Sequence, residues 1–155
     1  MPRTKTGIIV VDPSFKFILG VRGRRSEKWG PPKGHLDESD VDPLDGALRE
    51  MYEETGIQLT FPTGVKILPR INIERASLFI LVLPMTTLFD VIDTHEISEI
   101  AWIILDQPPP DQEMTKIMKL CIKRRGEIIR RASSNILNYD LESRGPTFRL
   151  NKTLR

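Results

Sequence analysis

The segment from Asp42 to Ile57, DPLDGALREMYEETGI, constrains the fold more than any other stretch of the chain. At 3.6 residues per turn, Leu44, Ala47, Leu48 and Met51 form one apolar stripe, and Glu50, Glu53 and Glu54 fall within an arc of about 100° beside it. Asp42 suits the N-cap, Pro43 the first helical position and Gly56 the position just past the end, so the spacing predicts a helix of about three to four turns. Its apolar stripe must lie on another layer, which leaves the three carboxylates together on a free flank. Such a run is commonly a solvated acidic face. Like charges three and four residues apart weaken a helix by a few tenths of a kcal/mol per pair, and a cation is the simplest compensation. Hard oxygen ligands of this kind suit Mg²⁺ or Mn²⁺.

Around this helix the chain alternates in ways that predict strands at Thr6 to Asp12, Phe15 to Val21, Val65 to Glu74, Leu78 to Met85 and Ile100 to Leu105, the first two joined by a tight turn. After Gln107-Pro108-Pro109-Pro110 a helical pattern starts at Asp111 and runs to about residue 138, with Met114, Ile117, Met118, Cys121, Ile128, Ile129, Ala132 and Ile136 on one face. Gly126 is expected to kink or split it, and the residues after about 144 read as an extended or frayed tail. The sum is an α/β chain of one domain, residues 1–155, with a mixed central sheet between helices. No apolar run approaches the roughly 20 residues of a membrane span, and no signal-peptide pattern opens the chain, so a cytoplasmic protein without a membrane partner is expected. The single cysteine, Cys121, lies on the apolar face and reads as a buried structural thiol. Net charge is +2, but residues 111 to 155 hold eleven Lys and Arg against five Asp and Glu. A basic C-terminal helix of this kind would steer anionic substrates or RNA, or else stay solvated.

From Gly34 to Ile57 the chain resembles the Nudix hydrolases, whose signature reads G x5 E x7 R E U x E E x G U, with U a bulky aliphatic residue. Gly34, Arg49, Glu50, Met51, Glu53, Glu54, Gly56 and Ile57 match it. One departure is that Gly34 to Arg49 is a step of fifteen residues where the signature has fourteen, and the loop glutamate that pairs with the arginine is replaced by Asp40, with Glu38 as a rival. The resemblance implies the Nudix fold, an α/β/α sandwich, and a pyrophosphohydrolase dependent on Mg²⁺ or Mn²⁺. It further implies Glu50 and Glu54 as principal metal ligands, the Gly34 carbonyl completing the shell, Glu53 as a further ligand or the base, and Arg49 orienting the loop carboxylate.

Two further stretches narrow the substrate. His95-Glu96-Ile97, followed by Trp102, is similar to a motif of diadenosine tetraphosphate hydrolases and mRNA decapping enzymes. That likeness makes Glu96 the leading candidate for the general base, ahead of Glu99 and Glu53, while His95 would bind phosphate or stay hydrated. Lys28-Trp29-Gly30-Pro31-Pro32-Lys33-Gly34-His35 resembles both groups as well. Lys33 would supply a charge beside the metals, and Arg22, Arg24, Arg25 and Lys28 would hold the rest of a phosphate chain. Trp29 and Tyr52 read as packing residues, with base stacking by Trp29 the alternative. The implied substrates are dinucleoside polyphosphates or the 5′ cap of mRNA, the latter with RNA along the basic C-terminal helix. With a first strand at about Thr6 there is no room for the helical domain that precedes this region in cellular decapping enzymes, so the diadenosine version is expected to fit better. Hydrolysis of diphosphoinositol polyphosphates and a non-catalytic nucleotide- or RNA-binding module are the alternatives. Monomer and homodimer both stay open.

Overall fold

The computed structural model describes residues 4–61, 67–142 and 147–150. Two strands that read as nearly continuous apolar runs, β1 (Lys5–Val11) and β7 (Ala76–Val82), pair in parallel at the centre of a mixed seven-stranded sheet. A parallel pair needs both faces covered, and both are. Ile8 and Val10 point to one side and Ile9 and Val11 to the other, so that successive residues of β1 feed two separate apolar clusters.

The remaining strands run antiparallel to their neighbours. β2 (Phe17–Gly23) joins β1 near its end and pairs along its length with β8 (Ile97–Ile104). β3 (Trp29–Gly30) lies on β2, β4 (Lys33–His35) on β1, and β6 (Arg70–Ile73) on the outer edge of β7. A second, two-stranded sheet joins β5 (Ile57–Thr60) to β9 (Thr147–Leu150). Helix α1 (Pro43–Thr55) seals one face of the main sheet with Leu44, Ala47 and Met51. Helices α2 (Lys116–Lys123) and α3 (Arg125–Glu142) seal the other with Met118, Cys121, Ile128 and Ala132. This is the expected sandwich. Cys121 is fully buried and its thiol is pushed up to about 12 by that burial.

The C-terminal helix departs from expectation in three ways. Residues Asp111–Glu113 form only a 3₁₀ turn, and the helix proper starts at Lys116, because Met114 is extended and Thr115 caps the first turn by accepting the Met118 N–H. The break falls at Arg124, not Gly126, which sits in the first turn of α3 with open space where a side chain would be. α3 then continues to Glu142, past the expected end near 138. Of the tail, Thr147–Leu150 is paired strand, while residues 143–146 and 151–155 lie outside the described residues, as do 65 and 66 of the predicted Val65 to Glu74 strand and the side chain of Ile136. β3, β4, β5 and β9 were not anticipated. No helix among the described residues is long and apolar enough to cross a membrane.

Candidate active site

The helix that carries the glutamates is fixed at both ends by local chemistry. Asp42 caps it by accepting the Asp45 N–H at 2.8 Å, Pro43 opens it, and Gly56, at φ 78°, closes it with its N–H on the Tyr52 carbonyl. The loop from Asp90 to Ile97 then lies across the C-terminal end. Asp90 N–H donates to Thr55 O at 2.9 Å, and Ile92 and Asp93 N–H both donate to Glu53 O at 3.1 and 2.8 Å. This brings a loop distant in sequence, with Glu96 in it, against the acidic flank of α1.

Gly34, paired with Thr6 on β4, presents its backbone to that same flank. A β-carbon on Gly34 would stand 2.3 Å from the Glu50 carboxylate, so only glycine allows this approach. The neighbouring Lys33 N–H donates to Glu54 Oε1 at 3.3 Å. Glu50 and Glu54 are both buried. Burial first, and the Glu50 charge next, push the Glu54 carboxyl up to about 9. Burial likewise raises Glu50, opposed by Arg49, and the charge of Glu96 adds to the upward push on both. Two buried carboxylates and a third acid thus share one field.

Arg49 is the principal counter-charge. Its Nε and Nη2 donate to the two carboxylate oxygens of Asp40 at 3.0 and 2.9 Å, its Nη1 to Glu50 at 2.9 Å and Glu53 at 3.5 Å, and its Nη2 also to His35 O. Hydrogen bonding from Arg49 holds the Asp40 carboxyl below its ordinary value even though burial raises it. Asp40, not Glu38, therefore takes the place of the loop glutamate. The additional residue is absorbed by the loop between Asp40 and the cap, where Val41 is 88% exposed.

With Glu50 and Glu53 turned to Arg49, no three acidic, histidine or cysteine side chains among the described residues already converge as a ligand set. The donors available are nevertheless all hard oxygens, the carboxylates of Glu50, Glu53 and Glu54 and the backbone carbonyl of Gly34, which is the chemistry a divalent cation such as Mg²⁺ takes. Buried carboxylates raised this far are also what a cation would relieve.

The cations expected to meet phosphate divide into groups. Lys33 pairs with Gly7 across the strands and packs on it, since a β-carbon at Gly7 would meet Lys33 Cβ at 2.6 Å. Its side chain is thus on the α2 face of the sheet, opposite Gly34 and the acidic flank, where burial and then Lys5 lower its affinity for a proton while Glu54 and Glu50 raise it. Arg22 is spent on Glu99 at 2.8 Å and on the Glu27 carbonyl. Arg24 bonds the carbonyls of Thr94 and Ile97. Arg25 and Lys28 are exposed. Trp29 packs against the α2-side core, with its carbonyl accepting the Thr115 N–H. Trp102 meets Phe89 edge to face at 5.9 Å, and its buried indole N–H has no hydrogen-bond partner among the described residues. His95 is exposed. The bonding of Arg22 and Arg24 to sites far along the chain had no local signal.

The NUDIX domain profile matches residues 1–124. The chain is 30% identical over 118 residues to the mRNA decapping complex subunit 2 of Schizosaccharomyces pombe, covering 73% of this chain and 16% of that protein. It is 59% identical over 64 residues to an RNA pyrophosphohydrolase of Bartonella tribocorum, covering 36% of each. It therefore spans well under half the length of these curated relatives. A crystal structure of a C. elegans Ap4A hydrolase superposes with a TM-score of 0.56 at 21% identity, over 86% of this chain and 98% of that one, a likeness of fold.

Proposed function

Since the chain belongs to the Nudix family, we propose that it hydrolyses a phosphoanhydride bond in nucleotides with a long phosphate chain, the 5′ polyphosphate end of RNA foremost, cap included. The observation that carries this reading is the imbalance of charge beside Gly34, where one arginine is shared by Asp40, Glu50 and Glu53 and a further acid, Glu54, lies next to them, with Glu50 and Glu54 buried and raised in pKa. Preference for an RNA end is supported by the decapping subunit and RNA pyrophosphohydrolase among the relatives. A dinucleoside polyphosphate is the second reading, favoured by the resemblance of Trp29 to His35 to diadenosine tetraphosphate hydrolases.

Glu50, Glu54, Glu53 and the Gly34 carbonyl would hold Mg²⁺ or Mn²⁺, which when bound neutralises phosphate oxygens and acts as a Lewis acid on the scissile phosphate. The other steps belong to this chain's own groups. Glu96, on the loop over the acidic flank, accepts the proton of the attacking water, with Glu53 the rival for that role. Arg49 positions Glu50 and ties it to Asp40. Arg25 and Lys28, exposed on the turn after β2, are placed to meet outer phosphates. Lys123 and Arg130, exposed on α2 and α3, offer RNA a path, and affinity through them falls with salt. Arg124, Arg125 and Arg131 contribute less, being engaged with Glu127, Asp106 and backbone carbonyls.

The test is product analysis with Mg²⁺ or Mn²⁺ on four substrates in parallel: 5′-triphosphorylated RNA, cap-labelled RNA, diadenosine tetraphosphate and a diphosphoinositol polyphosphate. Cleavage of either RNA, weakened by salt, supports the first reading, and release of ATP and AMP from the third alone supports the second. Cleavage of the last alone would move the protein to inositol polyphosphates, and turnover of none would leave a binding module.

A further inference from the structure

The turn after β2 is built to point one residue at the loop that carries Glu96. Gly23 N–H donates to Lys28 O at 3.1 Å and Glu27 N–H to Gly23 O at 2.9 Å, with Glu27 itself at φ 57°, a conformation that a non-glycine residue adopts only where a tight turn demands it. At the head of this turn Arg24 donates three times to one short segment. Its backbone N–H reaches Glu96 O at 2.7 Å, its Nε–H Thr94 O at 2.8 Å, and its Nη2–H Ile97 O at 3.5 Å.

The segment is gripped from the other side by α1. Glu96 and Ile97 N–H both donate to Asp93 O, at 3.3 and 3.2 Å, and Asp93 N–H in turn donates to Glu53 O. A register skip completes the arrangement. Arg22 opposes Glu99 but Gly23 opposes Ile97, which leaves Ser98 as the additional residue on β8, its hydroxyl donating to the Arg22 carbonyl. Bulges of this kind re-aim the chain next to them and recur beside active sites. Here the bulge turns the strand out of the sheet at the point where it becomes the Glu96 loop.

We infer that Arg24 is a positioning residue, whose guanidinium holds the Thr94 and Ile97 carbonyls on either side of the Glu96 carbonyl that its own backbone N–H binds, and thereby fixes Glu96 over the acidic flank of α1, in place of the phosphate contact its basic setting suggests. The inference rests on the proposed role of Glu96 as base. Misplacing a general base by an ångström slows the reaction without weakening substrate binding in proportion. A phosphate ligand would do the reverse.

The experiment is a double-mutant cycle of Arg24→Ala and Glu96→Gln on whichever RNA or dinucleotide substrate the wild-type protein cleaves, with amide hydrogen exchange of residues 93–97 measured in parallel. Arg24→Ala should lower kcat about tenfold with KM little changed, Arg24→Lys should recover part of the loss, and the double variant should be no slower than Glu96→Gln alone. Exchange at Glu96 and Ile97 should quicken in Arg24→Ala while Tm holds. Multiplicative losses in the double variant, or a raised KM at constant kcat, overturn the inference. Should Glu96→Gln leave turnover unchanged, or the wild type cleave none of these substrates, the functional reading fails. The exchange measurement then decides the clamp, and unchanged exchange refutes it.

Discussion

Two clusters of charge in this molecule are built on opposite principles. On α3, Glu127 is bracketed by Arg124 and Arg131 at 2.8 and 2.9 Å, and the same arginines reach the carbonyls of Asn72 and Arg70 on the edge strand β6. Both guanidiniums share the one carboxylate and each also has a backbone carbonyl, and the arrangement fastens a helix to a sheet. At α1, Arg49 is shared among Asp40, Glu50 and Glu53 while Glu54 takes the Lys33 N–H, and two of these carboxyls, Glu50 and Glu54, are raised in pKa instead of lowered. The first arrangement is accounted for by what it fastens, whereas the excess of buried carboxylate in the second is what the proposed cation would neutralise.

The sharpest way to test this contrast is to neutralise an acid in each cluster. Glu54→Gln should cut turnover by about a thousandfold while the folded protein keeps or gains thermal stability, because a buried carboxyl held at about 9 destabilises the ionised native state. A steady-state assay beside a thermal melt reads both, and an active Glu54→Gln variant would break the comparison. Gly34→Ala comes next, at about a hundredfold in turnover, because its β-carbon displaces the Glu50 carboxylate.

Effects on stability are smaller. Asp40→Asn removes the bidentate partner of Arg49, whose acid side chain is only 3% exposed, and should lower Tm by roughly 5 °C in a calorimetric scan. The pH dependence carries the opposite sign for Glu54. Its folded-state pKa of about 9 lies above the ordinary 4.5, so native protein retains a proton that the unfolded chain has released, and stability falls as pH rises through that window. In chelator, Tm measured from pH 5.5 to 8.5 should drop more for wild type than for Glu54→Gln, and a divalent cation should flatten the wild-type curve. The smallest change is expected at the matched cluster. Glu127→Gln should shift Tm by no more than about 3 °C and leave turnover alone, and a large loss of activity there would erase the distinction.

What could be read from the sequence follows the same division between local and distant causes. α1 was legible to its caps because Asp42, Pro43 and Gly56 act on their own neighbours, whereas a loop partner for Arg49 came only from the resemblance, with Asp40 and Glu38 both open until the bonds to Asp40 are seen. The α2 boundary was not, since the proline run suggests an earlier start and only the Thr115 hydroxyl on Met118 settles it. β3, with two residues, and β4, with three, have too little pattern to stand out, and exist because β2 and β1 offer them open edges. Lys33 sits next to Gly34 in sequence yet faces the other layer, a consequence of strand alternation against Gly7 that no motif encodes. Arg24 finds its carbonyl partner 70 residues away, and composition reads it simply as one more positive charge.

The parallel pairing of β1 with β7 also sets an order of events. Gly34, Arg49 and the three glutamates all lie in the stretch of chain that crosses from one of these strands to the other. Closing that crossover is a long-range step paid in loop entropy before the central strands reward it. Until Ala76–Val82 has emerged, the acidic helix has β1 and β4 to rest on but lacks Phe79 and Leu81, which complete the apolar cluster beneath it, and a nascent chain stopped short of that strand would carry every residue of the signature over an unfinished core.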